Sequence, residues 1–178
     1  MIDDALKNER LIGMVQNIDN ALSPVGGLGR ITQFSETDDG RYLIVLRGLK
    51  RFGIACEIDS NAPYRMAAPD FTRFEDDINA HMESNIPEAL TDTGGSDRAA
   101  LVVAMKAFAK HLSVQVDWDA LAEISLPRLI DQATMISPFK PADKQSLLEA
   151  KTHDERRRLL VGLMTLYSSQ DKPSSPLQ

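Results

Sequence analysis

The side chains of this chain best suited to chemistry are three histidines, one cysteine, a short glycine run and a few clusters of charge. His81, His111 and His153 fall in three separate predicted helices, and none is followed at three or four residues by a second metal-binding side chain. A metal site built from them would need long-range convergence with no local support, so solvent-facing or edge histidines are expected. Cys56 falls on the apolar side of an alternating strand, where burial among hydrocarbon leaves a thiol inert. Gly26-Gly27-Leu28-Gly29 lacks the Gly-Lys-Ser/Thr ending that places a lysine and a hydroxyl on phosphates. It also leads into a strand rather than a helix, which predicts a turn and not a phosphate cradle. No Gly-x-Ser-x-Gly elbow holds a serine on a strained turn. Glu75-Asp76-Asp77 are consecutive helix positions pointing in different directions, as on a solvated face. Arg156-Arg157-Arg158, beside Asp154 and Glu155, predicts another solvated face, partly neutralised. Arg47, Lys50 and Arg51 form a second small basic group at a strand bend. The expectation is a chain with no catalytic residue, no metal site and no cofactor.

The composition narrows the classes further. Hydrophobic residues make up 43% and charged residues 26% of 178 residues, the balance of a folded chain rather than a disordered one. A formal charge of −6 leaves no basic field for phosphates, which argues against nucleic acid as the main partner. A single cysteine excludes an internal disulfide framework and a multi-cysteine zinc site. The longest apolar run, Ala99 to Met105, is far too short to cross a bilayer. The chain opens Met1-Ile2-Asp3-Asp4, with neither the basic start nor the apolar stretch of a secretory signal, and a cytoplasmic location is expected.

These residues must be positioned by two kinds of element. A short helix over Ile2–Asn8 and a strand over Leu11–Val15 come first. Leu28–Phe34 and Tyr42–Leu46 read as strands joined by Thr37-Asp38-Asp39-Gly40, because Asp-Gly supplies the positive φ of a tight hairpin turn. Tyr42–Leu46 is apolar at every position, as expected of an interior strand covered on both sides. Arg51–Ile58 alternates, with Phe52, Ile54, Cys56 and Ile58 on one face, and Gly48 links the two strands at a bend or bulge. From Phe71 the period changes to 3.6: Phe71, Phe74, Ile78 and Met82 predict a helix, and Pro87–Gly95 a loop. Ser96 is placed to cap a helix carrying Leu101, Met105, Phe108 and Leu112. Asp117-Trp118-Asp119 starts a short helix, and Pro127 opens another carrying Leu129, Ile130, Ala133 and Ile136, which Pro138 stops. Pro141 opens the next, with Leu147 and Leu148 inward. Thr152 and Glu155 form a capping box for a last helix that buries Leu159, Leu160, Leu163, Leu166 and Tyr167. Ser168–Gln178, with its prolines and serines, reads as a loose tail.

The segment Val25-Gly26-Gly27-Leu28-Gly29-Arg30-Ile31-Thr32-Gln33-Phe34, followed by Asp39-Gly40-Arg41 through Gly48-Leu49-Lys50-Arg51-Phe52, resembles the N-terminal, substrate-binding domain of the Lon protease family. Gly27, Gly40, Gly48 and Arg51 occupy that family's pattern of glycine, strand, hairpin glycine, strand and Gly-x-x-Arg. Ser96-Asp97-Arg98, Val116-Asp117-Trp118, Ser137-Pro138-Phe139 and Ala142–Ala150 are similar to its stand-alone bacterial members. The resemblance implies an α+β fold: a PUA-like β pseudo-barrel lobe over residues 1–70, a helical lobe over 71–167 and a tail over 168–178. It implies that Gly27, Gly40, Gly48 and Arg51 are fold determinants rather than contacts. No Walker A sequence is present and 178 residues leave no room for the family's ATPase and Ser-Lys protease modules, so binding without catalysis is expected. Family members open with a Leu-Pro-x-Phe-Pro strand, whereas this sequence begins in what resembles the following helix. A missing first strand would leave sheet edges unpaired, pointing to a truncated start or to compensation by a partner chain. The function implied is recognition of unfolded or extended protein segments, in association with a protease or chaperone. The alternatives are an RNA-binding PUA-like module and an enzyme whose site the sequence does not display.

Overall fold

A long hairpin organises the first half of the chain. The computed structural model describes residues 1–18, 20–75, 77 and 95–169. It divides into two units, Met1–Asn85 and Ile86–Gln178. The first contains α1 (Ile2–Lys7), β1 (Leu11–Met14), β2 (Asn17–Ile18), β3 (Ala21–Leu22), β4 (Val25–Glu36), β5 (Tyr42–Ile58) and β6 (Met66–Asp70). β1, β4, β5 and β6 form an antiparallel sheet in that order, while β2 and β3 make a separate two-stranded ladder. Gly40 takes φ +75° in the turn between β4 and β5, the left-handed conformation that an Asp-Gly turn supplies.

Four expectations for this unit are corrected. The glycine run is not a turn; it lies inside β4. Gly26 is there because the backbone is crowded: a Cβ on it would stand 2.7 Å from Val15 Cγ2 and 2.8 Å from both the Met14 carbonyl and Phe52 Cζ. Gly48 does not link two strands but sits within the single strand β5, where the pairing passes from Leu28↔Lys50 to Gly29↔Gly48 and leaves Leu49 as the extra residue of a bulge. A second bulge at Ala55, between the pairs Ile54↔Pro69 and Cys56↔Ala68, shifts the phase of the alternation. Phe52 stays buried while Cys56 and Ile58 are exposed. Finally, Tyr42–Leu46 is covered on one face only: Leu43 and Val45 are exposed.

The core of the unit gathers Ile12, Val25, Ile31, Phe52 and Phe74. Buried with them is Arg51, which donates from Nε and Nη2 to the two oxygens of Asp77 at 2.8 and 2.7 Å. Its backbone N–H adds a bond of 3.1 Å to the same carboxylate, and its guanidinium lies 4.3 Å from the Phe74 ring centroid. Asp77 is therefore no solvated acid. Phe71 precedes a short 3-10 turn, Thr72–Phe74, that ends on Phe74. Ile78, Met82 and the predicted loop up to residue 94 lie outside the described residues.

The second unit is helical: α2 (Gly95–Leu112), α3 (Trp118–Ala122), α4 (Leu126–Ile136), α5 (Pro141–Glu149) and α6 (His153–Ser169). Asp117 caps α3 by accepting from the Ala120 N–H at 3.0 Å. Thr152 Oγ1 accepts from Glu155 N at 3.1 Å while the Glu155 carboxylate accepts from Thr152 N, the reciprocal capping box. Ser96 lies inside the first turn of α2, not at its cap. Leu101, Phe108, Leu129, Ile130, Leu147 and Leu160 anchor the core. The inward stripe of α6 is Arg157, Leu160 and Met164, so Leu159 and Leu166 face outward, as does Ile136 at the end of α4. The helix continues through Ser169, shortening the expected tail to residues outside the description.

The arginine run at the start of α6 is likewise not a solvated face. Arg156 donates to Asp131 on α4 at 2.6 Å and to the Leu147 carbonyl on α5 at 3.1 Å. Arg157 pairs with Asp97 on α2 at 3.0 Å and with Asp154 at 2.6 Å. Only Arg158 is well exposed.

Candidate functional site: the outer arm of the hairpin

Directly opposed residues of an antiparallel pair share a face, so the register sorts the side chains of the β4–β5 ribbon. One face carries Ile31, Leu46, Ile44 and Tyr42, buried or half-buried; the Phe34 and Tyr42 rings meet there at 6.4 Å. Tyr42 also donates its hydroxyl to Asp3 at 2.7 Å, and Tyr64 donates to Asp4 at 2.9 Å, which ties α1 to the sheet. The Tyr64 hydrogen bond holds the Asp4 carboxyl below the usual range, and the bond to Asp3 raises the Tyr42 phenol.

The opposite face of the ribbon is open. It presents the pairs Ser35↔Leu43, Gln33↔Val45 and Arg30↔Arg47, and all six residues are exposed, Leu43 at 67% and Val45 at 51%. A bulge at Thr32 separates the last two pairs, and the Thr32 hydroxyl donates to the Val45 carbonyl at 3.2 Å. β6 pairs with β5 only from Gly53 to Ile58. Among the described residues no strand covers the outer edge of β5 from Tyr42 to Phe52. The turn at the tip is tightly held: Thr37 and Arg41 bond across it, and Asp39 accepts from the Thr37 hydroxyl, which keeps its carboxyl below the usual range. The arm is a two-stranded ribbon with one apolar-and-basic face.

Among the described residues, those singled out by sequence do not converge on a reaction centre. Gly40 closes the turn and Gly48 stands beside the Leu49 bulge. Gly27 has open space where a Cβ would be, and Arg51 is held in the core ion pair. His111 is on α2 and His153 on α6, while His81 lies outside the described residues. His153 Nε2 comes within 3.8 Å of Asp131. Burial works to raise the Asp131 carboxyl, but His153 and the Arg156 guanidinium outweigh it and keep it low. Among the described residues no group of three histidine, cysteine or acidic side chains could hold a metal, and no helix is long and apolar enough to cross a membrane.

Comparison with known proteins places this architecture. Residues 1–165 match the family model of the ATP-dependent protease La (LON) substrate-binding domain. The chain belongs to the Lon substrate-binding domain family. Solved structures of Lon N-terminal domains share the fold. The N-terminal domain of the Mycobacterium avium complex Lon protease superposes with a TM-score of 0.62 at 19% identity, covering 92% of this chain and 82% of that one. A Lon N-terminal domain protein from Xanthomonas campestris gives 0.55 at 15% identity, covering 90% and 80%. No curated protein sequence matches the chain. The Lon-type domain is thus an α+β fold in which an antiparallel sheet is followed by helices, and its family is a substrate-binding one. The exposed arm was missed from the sequence because a continuous apolar run reads as a doubly covered strand.

Proposed function

We propose that this chain is a binding module that takes extended or unfolded polypeptide along the outer arm of the β4–β5 ribbon, without chemistry of its own. A protease or chaperone is the machine that such a module would serve. The observation that carries the reading is the conjunction of exposed Leu43 and Val45 with an edge of β5 that no described strand covers. An open edge offers unpaired backbone N–H and C=O groups that an incoming extended segment can satisfy, and the apolar side chains add area removed from water. Both terms are indifferent to the identity of most residues in the segment, which suits a module for unfolded chains.

The test is a fluorescence-anisotropy titration against a labelled, permanently unfolded model protein at low and high salt. Saturable binding that tolerates salt is expected. Leu43→Ser/Val45→Ser should weaken it by at least about tenfold, from the loss of two apolar side chains that a bound segment would partly remove from water. Met135→Ser/Ile136→Ser, at an exposed apolar pair of the helical unit, should leave it unchanged. Equal losses from both variants would move the site off the arm. Binding of labelled single-stranded RNA alone, falling steeply with salt, would favour the nucleic-acid alternative.

A further inference from the structure

The pair Arg30↔Arg47 breaks a local rule. Two like charges stand directly opposite each other on adjacent strands, a destabilising arrangement with Cβ atoms about 5 Å apart. Three other arginines of this unit are neutralised: Arg41 by Asp39, Arg51 by Asp77 and Arg65 by Glu57. Arg30 and Arg47 carry no ion pair or hydrogen bond among the described residues, in a chain with a formal charge of −6 that has carboxylates to spare. Across the sheet, Arg30 is flanked on its far side by Leu11, so no acid reaches the pair from β1 either. Among the described residues, this pair of guanidiniums beside exposed Leu43 and Val45 is a local cost with no compensating contact, the kind of conflict that marks a binding surface.

We infer that the arm selects acidic, apolar extended segments: a carboxylate docks on Arg47, backed by Arg30, with apolar side chains beside Val45 and Leu43. This rests on the proposed use of the arm and deepens it by naming the class of segment. The geometry sets a pattern. Arg47, Val45 and Leu43 lie on one face at two-residue intervals. A segment adding antiparallel to β5 therefore matches them with an acidic residue first, an apolar residue two positions later and another two positions after that.

Three labelled, end-capped peptides of the form X-Thr-Leu-Thr-Val, with X as Glu, Gln or Lys, test this by anisotropy at about 50 mM and 0.5 M salt. The glutamate peptide should bind about threefold to fivefold more tightly than the glutamine peptide at low salt, the range of an exposed ion pair, and the preference should shrink at high salt. Arg47→Gln should erase the preference and Arg47→Glu should reverse it toward the lysine peptide. Equal binding of all three peptides to the unaltered chain would overturn the inference and leave the arm as a general site. A glutamate preference that survives Arg47→Gln would overturn it too. Failure of every peptide to bind, with Leu43→Ser/Val45→Ser silent against the unfolded protein, would remove the arm itself and the inference with it. A single-stranded oligonucleotide that outcompetes the glutamate peptide in an Arg47-dependent way would assign the pair to phosphates instead.

Discussion

Arg47 and Arg51 stand four residues apart on one strand and are used in opposite ways. Arg51, at the base of the hairpin, is buried, bonded to both oxygens of Asp77 and stacked on Phe74. Arg47, on the arm, faces water opposite another arginine. The helical unit repeats the first use, with Arg156 and Arg157 stitching α6 to α4, α5 and α2. Among the described residues, the arginines that hold elements together are matched, whereas Arg30 and Arg47 on the arm are not. The difference separates residues that maintain the fold from residues open to a partner.

The comparison breaks most visibly at its buried end. Arg51→Ala leaves Asp77 without its cation at a site only 17% exposed, and removal of one member of a buried pair costs about 3–5 kcal/mol. Urea unfolding should show a loss of that size. Asp77→Asn should lose a comparable amount, and the double variant less than the sum of the two. A loss below about 1 kcal/mol in Arg51→Ala would mean that water screens the pair as it would a surface bridge.

A smaller effect separates two neighbours inside β4. Gly26→Ala must push Val15, Phe52 or the Met14 carbonyl aside, and overpacking of this kind costs about 1–3 kcal/mol. Gly27→Ala meets nothing within 4 Å and should be neutral or gain up to about 1 kcal/mol from a stiffer unfolded chain. Thermal melts of the two variants should move in different directions. A Gly26→Ala variant as stable as the unaltered chain would mean that the base of the hairpin is looser than its contacts imply.

The two glycines also show what the sequence could and could not tell. The turn at Gly40, the helix start at Asp117, the Thr152–Glu155 box and the division into sheet and helices were legible, because each rests on residues within a few positions of one another. Which glycine of Gly26-Gly27 is needed depends on Val15 and Phe52, brought together only by pairing. Gly48 signalled the bulge at Leu49, but those at Thr32 and Ala55 have no compositional signature, and each bulge shifts the phase of everything beyond it. That shift is why Cys56 surfaced against its alternation. The clamps of Arg156 and Arg157 were hidden for the same reason: Asp131 and Asp97 lie far away in sequence. The arm itself was obscured by an ambiguity of pattern. Tyr42–Leu46 is equally apolar whether a second layer covers it or a partner is awaited.

The smallest effect sharpens the comparison most, because its sign is opposite to that of Arg51. Removing one of two opposed like charges should stabilise the sheet, so Arg47→Gln is expected to gain roughly 0.2–1 kcal/mol, and Arg47→Glu, which faces Arg30 with an opposite charge, somewhat more. Arg47→Lys keeps the repulsion and should change little. The gains should fade in melts at high salt, where exposed charges are screened. A stabilised variant that has lost its preference for acidic segments would show repulsion maintained at the expense of stability for the sake of binding. A destabilised Arg47→Gln would instead mean that Arg47 already serves the fold, and the distinction between the two ends of the strand would fail.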